Sequence, residues 1–132
     1  FIPLKDWKDK RNEKFELHFT GYKLIANVPS LSGCFMFLRT SVLKEVGIFD
    51  ENIFMYLEDT DLNRRIHGKY KTIYYPKIEI IHEYAKESYV NKKLLMYHIK
   101  SAIYYFNKWG WLFDVERGEI NSKCLKELGY NN

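Results

Sequence analysis

The chain has 132 residues, which is enough for one domain and too few for two of ordinary size. Hydrophobic residues make up 46% and aromatic residues 17%, ample material for a packed core, and the net charge of +4 admits an anionic partner without the strong basic footprint of a nucleic-acid binder. The two cysteines, Cys34 and Cys124, form no CxxC pair and no disulfide framework, so a reduced, cytoplasmic setting is expected.

In chain order, residues 5–16 hold a dense mixture of charges around Trp7 and read as an exposed loop or short helix. Phe1-Ile2-Pro3-Leu4 is neither a start methionine nor a signal peptide, so the chain is expected to be a piece of a longer protein. Tyr22 to Val28 predicts a strand, and the continuous apolar run Cys34 to Leu38 predicts a buried one. Thr40 or Ser41 is placed to cap a short helix over Val42–Val46, and Gly47 stands where a helix end accepts positive φ. Asp59 to His67 predicts a second helix, with Leu62 and Ile66 on one face and a stop at Gly68.

Thr72 to Tyr75 and Ile78 to Ile81 predict short strands separated by Pro76, giving a strand–helix–strand order of α/β type. Residues 91–113 have Leu94, Leu95, Ile99, Ala102, Ile103 and Phe106 at helical spacing, with Leu94, Ile99, Ile103 and Phe106 expected to face inward. Beyond Gly110 the chain is polar, and residues 111–132 are expected to form a loosely held tail. No run approaches the roughly 18 apolar residues of a spanning helix.

The densest chemistry lies between Phe49 and Arg65. Three carboxylates, Glu58, Asp59 and Asp61, follow the aromatic run Phe54-Met55-Tyr56, and Arg64 and Arg65 come one helical turn later. Acidic residues are favoured in any first helical turn, and Asp61 with Arg64 or Arg65 makes an ordinary i, i+3 or i, i+4 pair. On spacing alone, the structural reading is favoured over the catalytic one.

Five motifs in fixed order carry a resemblance: Ser32-Gly33-Cys34-Phe35-Met36, Val46-Gly47-Ile48-Phe49-Asp50-Glu51, Tyr56-Leu57-Glu58-Asp59-Thr60-Asp61-Leu62, Tyr75-Pro76 and His82. The series resembles the C-terminal half of family 2 inverting glycosyltransferases, especially the bacterial rhamnosyltransferase-like branch, over about residues 30–110. The resemblance implies an α/β fold that is the C-terminal portion of a GT-A (Rossmann-like) domain, with short strands, flanking helices and a C-terminal amphipathic helix. Residues 1–110 would be its acceptor-side part, inactive alone, and 111–132 its tail.

It further implies a nucleotide-sugar donor and a saccharide or lipid-linked acceptor in surface polysaccharide synthesis. Asp59 would be the general base that takes the acceptor hydroxyl's proton. Gly33, Tyr56, Glu58 and Arg65 would meet substrate: Gly33 by letting the backbone approach closely, Tyr56 by offering a ring face to a pyranose. Glu58 would orient an acceptor hydroxyl or support the loop. The family's aspartate-rich metal motif lies upstream of these residues, and Asp59-Thr60-Asp61 matches the later acidic motif by context. His82 would approach a divalent cation, magnesium or manganese, whose remaining ligands come from an absent N-terminal half.

The basic, aromatic stretch of residues 91–113 either packs on the sheet or lies at the inner face of the plasma membrane, its lysines toward anionic headgroups and Trp109, Trp111 and Phe113 in the interface. The competing expectation is a non-catalytic module that binds single-stranded nucleic acid or a partner protein. Nucleic acid is not expected, because no aromatic platform recurs at alternate strand positions.

Overall fold

A computed structural model describes residues 13–83 and 91–130. The expected strand Tyr22–Val28 is trimmed to β1, Ala26–Asn27. Gly21 and Tyr22 both take left-handed backbone, at φ 59° and 56°, which an extended strand cannot contain. Its partner is β2, Ile73–Tyr74, and the two run antiparallel with Ala26 opposite Tyr74 and Asn27 opposite Ile73. Thr72 lengthens the pairing: its carbonyl accepts from the Val28 N–H at 2.9 Å, its own N–H donates to Asn27 Oδ1 at 2.9 Å, and its hydroxyl donates to the Val28 carbonyl.

Among the described residues, four α-helices of seven residues or more accompany this pair. The first, α1, spans Thr40–Val46, and its N-cap falls on Arg39 rather than on Thr40 or Ser41, with no side-chain cap bond. Gly47 ends it as expected, at φ 84° and with its N–H donated to the Leu43 carbonyl. Glu58–His67 forms α2, which places Leu62 and Ile66 in the core. Lys92–Trp109 forms α3, capped by Asn91, whose Oδ1 accepts from the N–H groups of Lys93 and Leu94. Gly110 stops α3 at φ 105°, four residues short of the expected run.

Four expectations fail, each for an identifiable reason. Cys34–Leu38 and Ile78–Ile81 form no strand; Phe37 and Ile81 are almost wholly exposed. An apolar run becomes a strand only when another strand accepts its hydrogen bonds, and among the described residues only β1 and β2 pair. The buried face of α3 is also rotated from the expected one. Ser101 and Tyr105 are buried, while Ile99 and Ile103 are exposed.

The tail is not loose either. Val115–Glu127 forms α4, capped by Asp114, which accepts from the Arg117 N–H at 3.0 Å. Arg64 of α2 clamps the cap of α4 through two bonds to Asp114, at 2.5 and 2.8 Å. Cys124 buries its thiol against the Asn27 carbonyl. The core therefore runs from β1 through α2 to α3 and α4: Val28, Ile53, Leu62, Ile66, Tyr105 and Cys124. A small antiparallel sheet with helices on it is compatible with a piece of an α/β domain. The expectations for Lys5 to Asn12 lie outside the described residues.

Candidate functional site

The site forms where the chain enters α2. Tyr56 and Leu57 are consecutive non-glycine residues in left-handed backbone, at φ 65° and 67°. Such conformations cost about 1–3 kcal/mol each and persist only when surroundings impose them. Here α3 imposes them. The Ser101 hydroxyl donates to the Met55 carbonyl at 2.6 Å, the Tyr56 ring stacks on His98 with centroids 4.7 Å apart, and Phe54 packs on Tyr97 at 5.1 Å. The turn reverses the chain sharply enough to set Glu58 and Asp59 at the first turn of α2.

Asp59 meets Gly33 across 26 positions of sequence: the Gly33 N–H donates to Asp59 Oδ2 at 2.8 Å. The other oxygen, Oδ1, accepts from the Thr60 N–H at 2.7 Å and from the Thr60 hydroxyl at 3.3 Å. Three donors on one carboxylate fix its plane. A Cβ at position 33 would stand 2.9 Å from the Asp59 Cβ, closer than such atoms approach. Gly33 is required for this contact and not for a positive φ, since it is not among the positive-φ glycines. Asn63, almost fully buried on α2, secures the same loop by donating to the Leu31 carbonyl at 2.7 Å.

Glu58 differs from its neighbour. Its Oε2 is buried without a hydrogen-bond partner among the described residues, and burial, with a smaller contribution from the Asp59 charge, raises its pKa above the usual carboxylate range. It borders an open hollow of about 460 Å³ shared with Phe49, Asp50, Glu51, Ile53 and Phe54. A second hollow, about 410 Å³ and mostly apolar, reaches from Phe15 and Tyr22 to Ser32, beside Gly33.

Arg65 and Asp61 turn inward to the protein. Arg65 donates to Asp61 Oδ2 at 2.8 Å and to the carbonyls of Val46, Gly47 and Ile48 at 2.7, 3.2 and 2.7 Å. These four bonds occupy most of a guanidinium's donors, so the geometry turns Arg65 toward the Val46–Ile48 loop and not toward a ligand. Asp61 has no exposure, and its Oδ1 also receives Trp109 Nε1 and Lys108 Nζ, each at 2.8 Å. Lys108 reaches Asp50 Oδ2 at the same distance and holds the Asp50 carboxyl well below its ordinary pKa. The i, i+4 spacing exposes the Asp61–Arg65 pair in sequence; the roles of Lys108 and Trp109 have no such local signal.

His82 is exposed in the irregular segment after Pro76. Among the described residues no group of three or more His, Cys, Asp or Glu side chains converges on one point. A magnesium or manganese ion wants several oxygen ligands, so the described donor set does not fit a cation by itself. No described helix is long and apolar enough to cross a membrane.

No protein-family model matches the chain, and no solved structure matches it. Two curated relatives do: the N-acetylglucosaminyl-diphospho-decaprenol L-rhamnosyltransferases of Mycobacterium tuberculosis strains CDC 1551 / Oshkosh and ATCC 25618 / H37Rv. Each is 44% identical over 57 residues. Over that stretch the chain is glycosyltransferase-like. The matched stretch covers 42% of the chain and 18% of each relative, so the likeness reaches a local segment of those enzymes and not their whole length.

Proposed function

We propose that this chain supplies the acceptor side of an inverting, nucleotide-sugar-dependent glycosyltransferase with a GT-A domain of the family 2, rhamnosyltransferase-like kind, and that Asp59 is its general base. The observation that carries this reading is the Asp59 carboxylate held between the Gly33 and Thr60 N–H groups at the mouth of a strained turn. The partial likeness to two rhamnosyltransferases supports the reaction class.

The chemistry follows from that geometry. An acceptor hydroxyl beside Asp59 gives its proton to a free lone pair of the carboxylate. The oxygen then bonds to the anomeric carbon of the donor sugar as the bond to the nucleoside diphosphate breaks, and the diphosphate departs with the electron pair on the opposite face. A carboxylate within hydrogen-bond reach of the attacking oxygen supplies about 10²–10⁴-fold. The two N–H donors keep Asp59 aimed, while Glu58 offers the acceptor a carboxyl that holds its proton more readily than a solvated one. Tyr56, one face on His98, presents the other to a pyranose ring. Arg65 acts through the loop it braces. The acceptor is a saccharide or a lipid-linked saccharide of a surface polysaccharide, and the reaction runs at the cytoplasmic face.

The test is sugar transfer by the full-length gene product from a panel of nucleotide-sugars, beside an Asp59→Asn variant of equal fold. Transfer that falls at least about a hundredfold in the variant supports the assignment. Equal transfer by both removes Asp59 from the mechanism.

A further inference from the structure

Among the described residues, nothing packs on the outward face of α3. Ser101 and Tyr105 point into the core, which turns Leu95, Met96, Ile99 and Ile103 to solvent, each about half exposed. Spacings of three to four residues align them in one stripe along the helix. Phe106 continues the stripe and packs on Trp111 with ring centroids 5.2 Å apart. Beyond it the turn between α3 and α4 exposes Leu112 and Phe113, at 84% and 92%. Apolar surface in one line from the first turn of α3 to the start of α4 exceeds the scattered apolar residues of an ordinary surface.

Charge indicates what covers it. The eighteen residues of α3 contain four lysines and no acid. Lys92, Lys93 and Lys100 stand along the stripe and are exposed. The fourth, Lys108, is bound to Asp50 and Asp61. The acids nearest the exposed turn, Asp114 and Glu116, both pair with Arg64. An apolar stripe ending in exposed aromatic residues and edged by exposed lysines matches an anionic lipid surface, where apolar side chains enter the acyl boundary and ammonium groups meet headgroups. No described helix can span a bilayer, so the contact would be peripheral.

We infer that the outer face of α3 and the Trp111–Phe113 turn dock this chain on a membrane rich in anionic lipid. The surface is distinct from the Asp59 site, and the inference stands whether or not the chain transfers sugar.

The experiment is co-sedimentation of the full chain with phosphatidylcholine vesicles made with and without phosphatidylglycerol, with tryptophan emission followed in parallel. The parent is expected to bind the phosphatidylglycerol vesicles and shift its emission to the blue. Lys92→Gln, Lys93→Gln and Lys100→Gln together should weaken that binding roughly a hundredfold, from about fivefold per lysine. Leu112→Ser with Phe113→Ser should abolish the blue shift. Both sets of changes lie on exposed positions, and unchanged circular dichroism checks the fold. Failure to bind anionic vesicles overturns the inference, as does equal binding to neutral ones or undiminished binding by the lysine variant. A dimer that the Leu112/Phe113 variant dissociates, with no vesicle binding, reassigns the face to a second copy of the chain.

Discussion

At the scale of single residues, the Gly33–Asp59 contact makes a demand that can be tested without knowing the substrate. Gly33→Ala places a methyl 2.9 Å from the Asp59 Cβ, and the carboxylate must move or the loop must lift. Overpacking of this kind costs about 1–3 kcal/mol, and the Gly33 N–H bond is lost with it. Denaturant titration should show the smaller, global loss, while any transfer activity should fall well beyond what that loss explains. Glu58 gives a prediction of opposite sign. Burial raises its pKa above the ordinary 4.5, so the folded state binds the proton more tightly than the unfolded state. Stability is therefore greatest below the ordinary value and declines as pH rises through the folded one. Glu58→Gln should raise the melting temperature at neutral pH, and the gap to the parent should close as pH falls toward 4.5. A gap that does not change with pH would mean that the gain comes from something other than Glu58 ionisation. If Glu58 also meets the acceptor, the same variant is more stable and less active, which separates the positioning role from loop support.

At the scale of elements, the Arg64–Asp114 pair ties the start of α4 to α2. Arg64 holds the Asp114 carboxyl down to about 2, while Asp114 in turn raises Arg64; the guanidinium also lies 4.2 Å from the Trp109 ring centre. For a depressed carboxyl, the stabilisation is complete above the ordinary value of 3.8 and drains away as pH falls through about 2. Hydrogen exchange in α4 should accelerate across that window ahead of exchange in α2. Asp114→Asn should loosen α4 at neutral pH by about 3 kcal/mol, the low end for breaking a buried pair because Glu116 still holds Arg64, and should erase the acid step. Sequence reading missed α4 because its apolar positions are sparse, although Asp114 in front of it and Gly129 behind, at φ 78°, were both visible stop and start signs. The helices with a strong apolar face, α2 and α3, were legible to within a few residues. The face of α3 was not, because Ser101 is buried by its bond to the Met55 carbonyl and no periodicity of hydrophobicity reports that. Strands fared worst: Cys34–Leu38 has the composition of a buried strand, but pairing is a property of two segments and only one can be read locally.

At the scale of the molecule, one buried carboxylate joins most of the parts. Asp61 lies on α2 and binds Lys108 and Trp109 from the end of α3. Through Arg65 it also reaches the loop that follows α1. The elements it gathers are the ones that frame Glu58 and Asp59, so the site's geometry depends on a residue that touches no substrate. The acid-rich start of α2 made the carboxylates legible in sequence; their partners beyond the helix were not, because Lys108, Trp109 and Gly33 reach Asp61 and Asp59 only through the third dimension. Removing one member of a buried charge network costs about 3–5 kcal/mol, since the partners left behind remain desolvated. Set against a typical stability of 5–15 kcal/mol, that is a large fraction. Asp61→Asn keeps the volume and one acceptor for Trp109 while deleting the charge that faces Arg65 and Lys108. It should lower the denaturation midpoint steeply, whereas Asp59→Asn should leave the midpoint within about 1 kcal/mol of the parent. Denaturant curves of the two variants, taken side by side at neutral pH, measure the difference directly. Equal midpoints would mean that Asp59 belongs to the same structural network as Asp61, and its role as a base would lose its support.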